Sequence, residues 1–219
     1  MQTIRDRAKD HFPSVLLTLL SIIQALALEF LWSRLHDSDY LWDGGFSAVA
    51  GWTQAAVLLL GLIQVWLFYT GIVMRFRWAP SVQDSVLPFA IGILEFTLID
   101  LMGPDTLSLW FVAFALIFAL SIFASQSAFR RARRDPENRE FFETIRPNDW
   151  SDFAQPVGAV VVLLALAPLV RIDGGWGWIG LIGLFATGGA LAHQVVILRR
   201  FWNHSMGIGG RDDDPTDDE

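Results

Sequence analysis

The 219-residue chain is 53% hydrophobic and only 18% charged, with ten Trp, two Tyr and no Cys. A soluble domain would be nearer a quarter charged, so composition excludes an ordinary soluble fold; the lack of Cys excludes disulfides, thiolate metal sites and thiol nucleophiles. The net charge of -7 says little about the body of the chain, because Asp212, Asp213, Asp214, Asp217, Asp218 and Glu219 supply much of it.

At the N-terminus Arg5, Arg7 and Lys9 precede an apolar stretch over about 13–32. A helix needs roughly 20 mostly apolar residues to cross a bilayer. This stretch is too long for a signal peptide and no small-x-small cleavage site follows, so it reads as an uncleaved first span. Five further spans follow at about 48–74, 86–102, 107–127, 153–169 and 176–198. The second is long enough to tilt or protrude. The short connections 103–106 and 172–175 force their flanking helices antiparallel. The one sizeable connection, about 129–152, opens on Arg130, Arg131, Arg133 and Arg134, placed where anionic lipid headgroups attract them. Phe141, Phe142 and Ile145 then suggest a short amphipathic surface helix ending before Pro147. The expected fold is an all-α polytopic transmembrane bundle of six helices over 1–204, followed by a disordered acidic tail over 205–219.

Loop charges orient this bundle. Fourteen basic residues fall in the N-terminal segment, the even-numbered connections and the C-terminal segment; only Arg34 and Arg171 fall in the alternate connections. The positive-inside rule therefore places both termini in the cytoplasm of a multi-pass inner-membrane protein. Trp32, Trp42, Trp110, Trp176 and Trp178 mark the outer edges, and Trp78, Trp150 and Trp202 the inner ones, as interfacial indoles do.

The polar residues inside the spans carry the functional expectation. Glu95 lies within the third span, and a carboxylate at that depth costs at least a few kcal/mol unless it is protonated, paired or facing water. Helical periodicity puts Thr18, Ser21, Ala25 and Glu29 on one stripe of the first span. Gln54, Gly61, Gln64 and Gly71 share a side of the second, and Pro88, Gly92 and Glu95 a face of the third. Ala186, Gly189, Ala190 and His193 form a small-residue stripe on the sixth that admits a close neighbour. Spans one, two, three and six are therefore expected inside, and the nearly unpolar fourth and fifth toward lipid. Glu29, Asp100 and Gln54 fall in the outer layer, Glu95 near the midplane, and Gln64 and His193 below it. Each also has a plainer role. Glu29 lies five residues before Arg34 as a paired surface group, Asp100 near the 103–106 turn, and His193 on a packing face. For Glu95 the plain role is a protonated acid bonded to Gln54 or Gln64.

No catalytic constellation is legible. His11, His36, His193 and His204 do not pair at i, i+4, and no HExxH, GxSxG, Walker loop or dinucleotide fingerprint occurs. A membrane hydrolase using dispersed acids is left as the lesser alternative, and no cofactor, metal or nucleic acid is expected. Three embedded acids without an embedded basic partner point to a channel or transporter for a small cation or proton, centred on Glu95, with a homo-oligomer as one assembly. The alternative is a non-catalytic accessory or scaffold subunit of a larger membrane complex.

Overall fold

The computed structural model describes residues 3–144 and 151–205. Among them seven α-helices follow in order: α1 Ile4–His36, α2 Gly45–Arg75, α3 Val82–Asp100, α4 Leu107–Arg134, α5 Arg139–Thr144, α6 Ser151–Ile172 and α7 Trp178–Ser205. All but α5 are long and apolar enough to cross a membrane. The expected tail beyond Ser205, and Ile145 and Pro147 of the expected surface helix, lie outside the described residues.

Local chemistry starts and stops these helices. Thr3 and Asp6 form a reciprocal capping box at the head of α1. At the head of α3, Asp84 Oδ2 accepts from the Ser81 amide at 2.8 Å and the Ser81 hydroxyl at 2.9 Å. At 33 residues, α1 is about 50 Å long against a hydrocarbon core of about 30 Å, so it projects beyond the span.

The two ends of the bundle are tied differently. At the end bearing the α3–α4 and α6–α7 turns, Arg34 donates to the Met102 carbonyl at 2.8 Å, and Tyr40 packs edge-on against Trp176 at 4.7 Å. Gly175 has φ +89°, and a Cβ there would lie 2.2 Å from the Pro104 carbonyl oxygen, so glycine lets the two turns meet. The opposite end gathers the start of α1 with the ends of α2, α4 and α7. There Arg77 pairs with Asp10, and the Arg75 guanidinium lies over the Trp202 ring.

The core departs from the lipid-side expectation for the fourth span. Trp110 and Phe111 on α4 are fully buried and Phe114 is 2% exposed, and α4, packed on α3 and α6, has the most buried apolar stretch of the six spans. In a bilayer the interior is no more apolar than the lipid, so a run of Ala and Phe can fill the centre as readily as face acyl chains. On α1 the expectation is also corrected. Thr18, Ser21 and Glu29 are exposed, whereas Leu16, Leu20, Ile23, Gln24, Ala27 and Leu31 are buried. Thr18 bonds the Ser14 carbonyl of its own helix at 2.8 Å, which removes any need to face inward. The short α5 does not present its rings to the membrane surface: Phe141 and Phe142 pack on Phe76 at 4.9 and 5.3 Å.

Candidate functional site

Glu95 stands on α3, three residues after Gly92 and therefore on the same face. A Cβ at Gly92 would lie 2.6 Å from Ile23 Cγ2, so the bare glycine sets how closely α1 approaches α3. The residue after Ile23 is Gln24, whose Nε2 donates to Glu95 Oε1 at 2.7 Å. Gln24 is 7% exposed and Glu95 1%. Neither expected partner, Gln54 or Gln64, makes this bond. Gln24 was legible as the one amide within the Leu16, Leu20, Ile23, Ala27, Leu31 stripe; reading the hydroxyls as the inward face concealed it.

The second carboxylate oxygen, Glu95 Oε2, is buried without a hydrogen-bond partner. Glu95 lines a partly open cavity of about 320 Å³ bounded by residues of α2, α3, α4, α6 and α7. Its walls are mainly apolar and aromatic, including Leu58, Val65, Phe68, Phe114, Phe118 and Phe129, with Gln64, Tyr69, Ser121, Ser125 and Gln194 interspersed. Gln64 Nε2 donates to Gln194 Oε1. Gln64 Oε1 and the Tyr69 hydroxyl, like Glu95 Oε2, are buried and unpartnered. Each such group costs about 1–3 kcal/mol, and native structures hold few of them. Three lie on residues of this one cavity, and others occur elsewhere in the bundle, on Gln54 and Trp110 among them. Beyond Glu95 toward the α3–α4 turn, Leu98, Ile99, Met102, Leu107 and Trp110 are each 1% exposed or less and form a dry apolar layer.

Of the six residues expected on a polar path, the structure brings Glu95 and Gln64 to this cavity and leaves four elsewhere. Glu29 and Asp100 are exposed on α1 and α3. Gln54 is buried, but its Oε1 accepts from the Gly103 amide at 3.2 Å and holds the α3–α4 turn. His193 is exposed and meets Gln155 of α6 at 3.1 Å; the next residue, Gln194, is the one that enters the cavity. These departures share a cause, since a rotation of one residue turns a helical side chain by about 100°.

The expected headgroup contacts also divide. Arg131 is partly buried and paired with Asp84, so it joins α4 to α3. Arg133 lies over the Phe142 ring at 5.0 Å. Arg130 bonds the Gln126 carbonyl; Arg130 and Arg134 are exposed.

A polar cluster that the sequence reading did not single out lies at the same end. Lys9, the single lysine, is 7% exposed; its Nζ lies 2.6 Å from Asp135 Oδ2 and 2.9 Å from Glu137 Oε1. Arg77 joins Glu137 at 2.7 Å, and Asn138 accepts from the Arg77 amide and donates to the Arg77 and Ala132 carbonyls. Burial raises the Asp135 pKa, but the Lys9 hydrogen bond, the Glu137 amide and the Lys9 and Arg5 charges outweigh it and hold the group below its ordinary value.

Among the described residues no three His, Cys, Asp or Glu side chains group as metal ligands. The fold and the cavity define a multi-pass helical membrane protein with a carboxylate buried inside its bundle. No family model, curated protein or solved structure matches the chain, so its particular role is argued from the site.

Proposed function

We propose that this protein moves a small cation or a proton across the membrane, with Glu95 as the ion-binding group and both termini cytoplasmic. The observation that carries this reading is Glu95 Oε2, buried, unpartnered and on a residue that lines a cavity. Leaving a carboxylate oxygen bare at depth is costly, and a bound cation or proton offsets that cost. The carboxylate supplies negative charge for a cation and accepts a proton when no cation is bound. Its Oε1 stays on Gln24, which fixes the other oxygen in place. Leu98, Ile99, Met102, Leu107 and Trp110 make a buried apolar layer toward the α3–α4 turn, which favours a carrier that opens alternately over an open channel.

Flux into proteoliposomes tests the reading. The parent protein carries protons or a monovalent cation under an imposed gradient, and Glu95→Gln abolishes that flux while reconstituting equally well. A parent that carries neither, or a variant that carries as much as the parent, sinks the proposal.

A second reading, an accessory or scaffold subunit, draws on α6. In its most apolar stretch only 17% of the residues are buried within the chain, leaving an apolar face for lipid or a neighbouring subunit. Mild-detergent purification from the native membrane separates the two: stoichiometric unrelated subunits favour the scaffold, and a homogeneous single-component species opposes it.

A further inference from the structure

The walls of the Glu95 cavity narrow what it can hold. The unpartnered atoms on them are all oxygens: Glu95 Oε2, Gln64 Oε1 and the Tyr69 hydroxyl. A carboxylate and an amide carbonyl only accept hydrogen bonds. Their complement is a donor, and opposite an ionised buried carboxylate a positively charged donor also offsets the cost of desolvation. The remaining surface is apolar, with the rings of Phe68, Phe114 and Phe118 prominent. A hard metal ion fits poorly, because it seeks about six or more oxygen ligands. A volume of about 320 Å³ is in the range of cavities that hold small organic molecules. A bare ion would leave most of that wall without contacts.

Given Glu95 as the ion-binding group, on which this inference rests, we propose that the cavity binds a primary or secondary ammonium ion with a small aromatic or branched alkyl body. The ammonium N–H groups donate to Glu95 Oε2, and the body lies against the phenylalanine rings, whose faces also attract the cation. Charge and shape then select together. The carboxylate disfavours neutral molecules of the same size, and among cations the apolar wall favours one with an organic body.

Isothermal titration calorimetry on the purified full chain in detergent tests this, with empty-micelle heats subtracted. The probes are 2-phenylethylammonium chloride and the uncharged 2-phenylethanol, at about pH 8, where the amine is charged. The expected result is saturable binding of the ammonium, at least about tenfold tighter than the alcohol, and at least about tenfold weaker in Glu95→Gln. Phe118→Ala weakens it severalfold through lost wall contacts. Equal affinity for the alcohol, undiminished binding by Glu95→Gln, or no saturable binding overturns the assignment. Should Glu95→Gln fail to give a monodisperse preparation, the ammonium-against-alcohol comparison on the parent decides alone. Glu95-dependent flux without ammonium binding overturns the ammonium assignment and leaves the transport reading standing. Glu95-dependent binding without flux does the reverse.

Discussion

Gln24 of α1 and Glu95 of α3, 71 residues apart in the chain, share a buried 2.7 Å hydrogen bond that the missing side chain of Gly92 permits. This contact orients the carboxylate: with Oε1 held on α1, Oε2 is the oxygen left without a partner. The functional reading thus depends on helix spacing as much as on the acid itself.

Gly92→Leu is expected to push α1 from α3, since even a Cβ would lie 2.6 Å from Ile23 Cγ2. Overpacking of this kind costs about 1–3 kcal/mol. A lowered thermal midpoint in detergent, together with lost flux, is the expected result. Gly92→Ala is milder only if Ile23 can change rotamer. A leucine variant as stable as the parent would show that α1 and α3 have freedom the structure denies them.

Gln24→Leu keeps the bulk and removes the donor, leaving both Glu95 oxygens bare. The expected loss is about 1–3 kcal/mol of stability for an unsatisfied buried group. Pairing the change with Glu95→Leu should recover part of it, because neither polar group then remains. A double-mutant cycle on chemical or thermal unfolding measures the coupling. Strictly additive effects would mean the bond contributes nothing.

Lys9→Met strands the buried Asp135, while Glu137 keeps its ion pair with Arg77. Removing one partner of an enclosed pair costs about 3–5 kcal/mol, and the loss here should fall toward the lower side because Glu137 is 41% exposed. Asp135→Asn in the Lys9→Met background should restore much of the midpoint. If Lys9→Met alone leaves the midpoint in place, the cluster does not hold α1 to the segment after α4.

Acid should loosen the same cluster. The folded pKa of Asp135 lies below its ordinary 3.8, so its stabilisation is complete above that value and fades as pH falls through the lower folded one. The thermal midpoint of the parent should therefore drop, as pH falls below 3.8, more steeply than that of Asp135→Asn. Parallel curves for the two proteins would contradict the linkage.

Gly175→Ala tests the contact between turns. The added Cβ meets the Pro104 carbonyl oxygen at 2.2 Å on a backbone with φ +89°, so two penalties add and a loss of at least about 1–2 kcal/mol is expected. Gly174→Ala shares the positive φ but has nothing within 4 Å of the new Cβ. It should therefore cost less, and scanning calorimetry on the pair separates strain from clash.

The amino-acid sequence alone was enough for the class and for the central acid. Six apolar runs of bilayer length, basic clusters in every second connection and a lone carboxylate among uncharged neighbours are one-dimensional signals, because the cost of a polar group at depth does not depend on which helix lies beside it. Only the tertiary structure decided the neighbours. It turned Gln24 rather than Gln54 toward Glu95 and brought Gln194 rather than His193 to Gln64. It buried one side of α4 and gave the single lysine to Asp135. These outcomes depend on the rotation and spacing of whole helices. In a bilayer apolar residues suit the lipid and the interior alike, so hydrophobicity leaves the rotation open and close packing at positions such as Gly92 settles it.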